Sequence, residues 1–196
     1  MDIFELRREI MHMMVGALFL LIVILFPKPF GEMFLFIVLL LGGLVSFLST
    51  KFHLPLISSC LELFERKDNG KFPGKGVLFF FIGSLIVLQL FPRDIAFSSI
   101  IILTFSDPIS HFVGSNFGKL PGINKRKYIE GTLAGILIGG LLASLIVNPL
   151  LAFIGAFVAM FLEAAEIAMA GKNVDDNLLI PIVAGTVMYL LRLRFF

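Results

Sequence analysis

A single cysteine, Cys60, stands among 196 residues. One thiol excludes an internal disulfide and any cysteine-based metal cluster. Charge is scarce as well. Only 15% of residues are charged, and the formal net charge of +2 is too small to imply a nucleic-acid partner. Familiar phosphate-binding signatures are missing. The stretch "GSNFGK" (114–119) is one residue short of a P-loop, and Leu120 follows where Ser or Thr would meet a metal. No protein-kinase catalytic loop, nucleophile elbow or zinc-ligand spacing occurs. Long polar linkers, low-complexity tracts and internal repeats are absent too, so residues 1–196 read as one domain.

What the chain has is apolar sequence. It is 58% hydrophobic with 23 Phe and a mean hydropathy of +1.00, well above the roughly 45–50% apolar share of soluble domains. Runs near 20 residues recur, the length a helix needs to cross the hydrocarbon core. The first run lacks a small-residue cleavage site and is followed by others of equal strength, so it reads as a span and not a removable signal peptide. The expectation is an all-α polytopic membrane protein with about seven transmembrane helices near 10–26, 30–50, 75–91, 95–115, 130–147, 149–170 and 177–194. "PKPFGE", "FPRD", Asn148-Pro149 and "GKNVDDN" mark breaks between them.

Basic residues sort the loops by side. Twelve of the sixteen Lys and Arg, from Arg7 and Arg8 to Lys172, fall on one side of this seven-helix reading. Lys28, Arg93, Arg192 and Arg194 fall on the other. The positive-inside rule then makes the N-terminus cytoplasmic. Residues 54–66, "LPLISSCLELFER", are too short and charged to span and fit a short amphipathic helix lying in the cytoplasmic interface.

Against this background a few polar residues are expensive. A carboxylate within hydrocarbon costs at least about 2.5–3.5 kcal/mol and should face the bundle interior. Asp107 lies inside the fourth expected span, and Glu163 and Glu166 lie inside the sixth, three residues apart and on one face. Asp107 and Glu163 are expected at a common depth, roughly 10 Å from the cytoplasmic helix ends. Glu130 opens the fifth span, Asp175, Asp176 and Asn177 open the seventh, and Arg8, Glu9 and His12 sit at the start of the first. All belong to the basic side. Carboxylates sharing a depth beside Lys- and Arg-rich loops suit Mg²⁺ and a phosphorylated substrate, because Mg²⁺ takes one or two carboxylates and completes its octahedron with phosphate oxygens and water. Pro108 removes a helical hydrogen bond next to Asp107, which predicts a broken helix lining a polar pocket. Alternatives stand beside these readings. Gly114 and Gly118 have the spacing of helix-packing glycines, and Asp175, Asp176 and Asn177 have the chemistry of a helix cap.

The series Asp107, Pro108, Gly114, Gly118, the basic cluster ending at Lys127, then Glu130-Gly131-Thr132, resembles the proposed CTP-binding stretch of the dolichol kinase and phytol kinase family. "RREIMH", "GKGVLFFFIG" and "DDNLLIPI" extend the likeness along nearly the whole chain in order. Tyr128 departs from it, standing where the family often has Ser or Thr. A more distant resemblance is to phosphatidate cytidylyltransferases, although their longer signature is not recognisable. The resemblance implies a CTP-dependent kinase that phosphorylates a long-chain isoprenoid alcohol, in a microbial plasma membrane or endoplasmic reticulum, with its site facing the cytoplasm. Asp107 would bind metal or accept the alcohol proton, and Glu163 or Asp176 would supply another metal ligand. Lys119, Arg126 and Lys127 would contact phosphates, and Gly114 and Gly118 would let backbone approach them. Gly131, Thr132, Arg8 and His12 complete the expected nucleotide contacts, and Glu130 would orient a basic residue or the nucleotide. A transporter is the rival from another class, since buried carboxylates also mark ion pathways. Clustering on one side argues against it.

Overall fold

The computed structural model describes residues 2–52, 73–122, 127–165, 168–169, 172–173 and 174–195. Among them are seven helices: α1 (Ile3–Leu25), α2 (Lys28–Ser49), α3 (Lys75–Leu90), α4 (Arg93–Phe117), α5 (Ile129–Ala143), α6 (Pro149–Ala164) and α7 (Asp176–Phe195). Prolines set several starts. Pro27 and Pro92 precede α2 and α4, and Pro149 takes the first turn of α6, where a missing N–H costs nothing. Asn148 caps α6 by accepting the Leu150 N–H at 2.9 Å. The expected amphipathic helix at 54–66 lies outside the described residues.

Four helices, α1, α2, α4 and α7, are long and apolar enough to cross a membrane. The three others have 15 or 16 residues, about 22–24 Å of helix against a hydrocarbon core of about 30 Å.

Helix α4 is the axis of the bundle, packing against α1, α3, α5, α6 and α7. Its Ile95, Ile100, Ile102 and Leu103 are fully buried. Small residues bring α5 close: a Cβ on Gly131 would stand 2.3 Å from the Ser110 carbonyl, and one on Gly139 would collide with the Ser106 hydroxyl. Around the other side, Phe19 of α1 meets Phe80 and Phe81 of α3 edge-on at 6.2 and 5.6 Å between ring centres. Leucine and phenylalanine side chains of α1, α2, α5 and α6 remain exposed on the outside, as lipid-facing surfaces require.

Two expectations need correction. Helix α4 is not broken at Pro108; it runs continuously from Arg93 to Phe117. Proline deletes one backbone bond, and the packing of α4 against five neighbours holds the segments on either side in line. The sixth helix ends at Ala164, not near 170, and a two-residue antiparallel ladder pairs Ala168 with Asn173 and Met169 with Lys172. Glu163 therefore sits in the last turn of α6. Asp107 has ten further helical residues after it, about 15 Å of helix. The two carboxylates meet because α4 projects past the end of α6, not because the helices end level.

The bundle has two chemically different ends. At one, the Arg93 guanidinium donates to the carbonyls of Val23, Ile24 and Phe26 at 2.8, 3.1 and 2.8 Å, closing the C-terminus of α1. Arg192 pairs with Asp94 at 2.7 Å beside it. Replacing Arg93 by Met leaves those carbonyls to solvent or lipid and is expected to cost about 1–2 kcal/mol. Equilibrium unfolding in mixed micelles measures it, and an unchanged midpoint would rule out a clamp at Arg93. The opposite end gathers the N-termini of α1, α3, α5 and α7, and there the unusual carboxylates meet.

Candidate functional site

Three helices and one turn build the centre. Asp107 comes from α4, Glu163 from the last turn of α6 and Asp176 from the first residue of α7. Each offers a carboxylate oxygen, and the three oxygens lie within 4.8 Å of one another. Lys127, in the turn entering α5, brings its ammonium onto the Glu163 carboxylate and to 3.6 Å from Asp176. Glu163 is only 1% exposed, and its Oε2 has no hydrogen-bond partner among the described residues. Asp107 and Asp176 are half-buried. The centre is thus a buried carboxylate floor with two carboxylates at its rim and one ammonium among them.

Charge is left over. Three carboxylates and one ammonium sum to −2, in a setting where an unpaired buried charge is costly. Oxygens within 4.8 Å need little contraction to reach the separation of about 4.2 Å that opposite ligands take around Mg²⁺ at 2.1 Å. The orphaned Oε2 of Glu163 and the all-oxygen donor set fit a hard divalent cation.

The N-terminus of α7 is fixed by its neighbours. The Asp175 carbonyl accepts from Leu178 and Leu179, and its side-chain Oδ1 accepts from the Asn177 N–H at 3.2 Å. The Asn177 amide donates to the same Oδ1 at 3.2 Å and to the Gly76 carbonyl of α3 at 3.3 Å. Lys75 pairs with Asp175 at 3.2 Å. Asp175 therefore caps α7 while the Asn177 amide ties the turn to α3, which leaves Asp176 to face the other carboxylates.

Other residues singled out in the sequence take different places. Glu130 lies apart from the three-carboxylate centre; its carboxylate accepts the backbone N–H groups of Lys119 at 3.0 Å and Leu120 at 3.1 Å. It closes the turn that follows α4, with the Lys119 side chain exposed. Gly114 and Gly118 do not face open space. A Cβ on Gly118 would fall 2.2 Å from the Tyr128 ring, and one on Gly114 would touch Tyr128 and Gly131 at 3.7 Å. Tyr128 thus fills the surface expected to receive phosphate. The Thr132 hydroxyl turns back to the Tyr128 carbonyl at 3.4 Å. Arg126 and Glu166 lie outside the described residues.

A second group adjoins the first. Glu5, Glu9 and His111 bring ligand atoms within 4.8 Å of one another. Arg8 lies with them, 3.0 Å from Glu5 and 2.5 Å from Glu9, and His111 Nδ1 is 3.7 Å from Glu9. His111 follows Asp107 by four residues on one helix, so the two groups share a face of α4. His12 instead meets Phe80 edge-on at 5.2 Å between rings. The sequence reading passed over His111 as a site residue. Its i, i+4 spacing from Asp107 was the available signal.

No family model matches the chain, and no solved structure matches it. The uncharacterized protein MJ1137 of Methanocaldococcus jannaschii is 31% identical over 94% of this chain and 92% of its own length. The CTP-dependent diacylglycerol kinase 1 of Schizosaccharomyces pombe is 33% identical over 64% of this chain and 64% of that kinase. Its namesake in Eremothecium gossypii is 26% identical over 58% of this chain and 43% of that kinase. The chain thus spans less than two thirds of either kinase. By identity and coverage it belongs to one family with the M. jannaschii protein, and it is a homologue of the CTP-dependent diacylglycerol kinases.

Proposed function

We propose that the protein is an integral membrane, CTP-dependent lipid kinase whose reaction centre is formed by Asp107, Glu163, Asp176 and Lys127. The observation that carries the reading is the meeting of three carboxylates, one with a buried oxygen that has no hydrogen-bond partner among the described residues, in a homologue of CTP-dependent kinases. Phosphoryl transfer asks a protein mainly for positioning and charge stabilisation. A divalent cation held by Asp107, Glu163 and Asp176 would neutralise charge on the nucleotide phosphates. The acceptor hydroxyl oxygen forms the new bond to the γ-phosphorus as the bond to the β,γ-bridging oxygen breaks, and CDP leaves. Asp107, at the rim, ligates the cation or accepts the hydroxyl proton. Lys127 and the basic residues before it hold phosphate oxygens. Seven helices crossing the membrane with a cytoplasmic N-terminus would put this centre at the cytoplasmic leaflet, with the lipid entering sideways.

Two acceptors divide the reading. The named activity of the relatives favours diacylglycerol, and the motif resemblance favours a long-chain isoprenoid alcohol of the dolichol or polyprenol type. Purified protein with Mg²⁺, CTP labelled at the α or γ phosphate, and a panel of diacylglycerol, polyprenols and lipid phosphates separates these. Label from the γ position in diacylglycerol is the expected result. γ-Label in the polyprenol alone would move the assignment to isoprenoid alcohols. Label from the α position would instead make the protein a cytidylyltransferase acting on a lipid phosphate, and the kinase reading would fall.

A further inference from the structure

Lys127 stands where a cation belongs. Its ammonium contacts Glu163 and lies 3.6 Å from Asp176, inside the same trio of carboxylates whose oxygens lie within 4.8 Å of one another. A space of that size accommodates one cation. An ammonium seated against Glu163 and a divalent ion bound by the same oxygens would compete for ligands and repel each other. The Lys127 backbone is fixed, because the Gly122 N–H donates to the Lys127 carbonyl at 2.7 Å. Tyr128, next in the chain, bridges Pro121 and packs over Gly118. Only the flexible four-carbon stem is left to move, and it is long enough to swing the ammonium by several ångströms.

We propose that Lys127 is a placeholder whose ammonium neutralises Glu163 and Asp176 until a divalent cation displaces it, and that the displaced ammonium then becomes a phosphate contact for the nucleotide. The inference rests on the kinase reading for the identity of the anion, but the exchange itself concerns only metal and lysine. It explains how Glu163, 1% exposed, is tolerated as a carboxylate in the metal-free protein. It also makes metal and nucleotide binding reciprocal: each favours the Lys127 position that the other needs. A conservative change of Lys127 thus alters metal affinity in the direction opposite to its effect on turnover.

The test is Mn²⁺ binding by electron paramagnetic resonance on the full chain in nanodiscs, without nucleotide, for the wild type, Lys127→Met and Glu163→Gln. Lys127→Met should bind Mn²⁺ about tenfold more tightly, since the competing ammonium is gone, and Glu163→Gln should bind more weakly. An affinity unchanged or lower in folded Lys127→Met overturns the exchange and leaves the metal centre standing. Binding unaffected by Glu163→Gln, or none in the wild type, overturns the metal centre and the exchange with it. Should Lys127→Met not fold, the wild type carries the test. Excess Mg²⁺ should raise acylation of Lys127 by an amine-reactive reagent several-fold, read by mass spectrometry, and a rate unmoved by bound metal overturns the proposal.

Discussion

Asp107→Asn is expected to lower turnover by on the order of 10³-fold while leaving the protein folded. The two halves of that expectation have different origins. Asparagine keeps the size of the side chain and one ligand oxygen, but it cannot take a proton from a hydroxyl and binds a hard cation poorly. Both possible roles of Asp107 are therefore lost together. Folding should survive because the centre already carries more negative than positive charge among the described residues: Glu163 and Asp176 share the ammonium of Lys127, and Asp107 lies beside them. Removing one carboxylate relieves repulsion, and the unfolding midpoint should stay level or rise. γ-Label transfer with saturating CTP, run beside thermal unfolding, reads both. Turnover within about threefold of the wild type would remove Asp107 from the chemistry. A collapse in stability would mean that Asp107 is mainly structural.

Much of the fold was legible because membrane helices are written in long apolar runs with polar or Pro-marked interruptions. Starts at Lys28, Lys75, Arg93 and Pro149 follow such breaks. The legible part ended where hydropathy carries no information. After Glu163 the chain reads Ala-Ala-Glu-Ile-Ala-Met-Ala, apolar but for Glu166 and without a breaker before Gly171. Nothing in that composition stops a helix at Ala164. At the other extreme, α1 begins at Ile3, before the apolar run, since the Glu5–Arg8 pair one turn apart supports helix in charged sequence. The site followed the same division. Asp107 and Glu163 were marked by the cost of placing charge in apolar surroundings, which a sequence displays directly, whereas Asp176 stands in the polar break "GKNVDDN" and read equally as part of a helix cap. Whether Glu130 would join them was not marked, because a carboxylate at a helix start can as well accept N–H groups from a nearby turn, as it does from Lys119 and Leu120. Nor could spacing show that Tyr128 fills the surface of Gly118, a contact that arises only when the turn folds back across the end of α4.

Asp176 depends on a helix contact more than 90 residues away in sequence, and Gly83→Ala is predicted to expose that dependence with roughly 10²-fold less turnover. Pro181 lies four residues after Asn177 and has no N–H to give its carbonyl, so that carbonyl in the first turn of α7 is left open. Gly83 of α3 packs against this opening: a Cβ there would stand 2.3 Å from the Asn177 oxygen and 3.2 Å from Pro181 Cγ. A backbone oxygen cannot swing aside as a side chain does. The methyl group must push α7 away from α3 by about 1 Å to restore an ordinary contact, and overpacking of this kind costs roughly 1–3 kcal/mol. The displaced turn carries Asp176, and a misplacement of about 1 Å at a reacting centre is enough to lose on the order of 10²-fold in rate. Gly43→Ala supplies the contrast, because a Cβ there meets nothing within 4 Å among the described residues and replacing a helical glycine by alanine stabilises. Activity and unfolding measured on both variants decide the matter. If Gly83→Ala turns over like Gly43→Ala, the centre does not rely on the α3–α7 contact to place Asp176. If Gly83→Ala loses turnover well beyond what its lost stability explains, the packing of two helices sets the geometry of the third carboxylate.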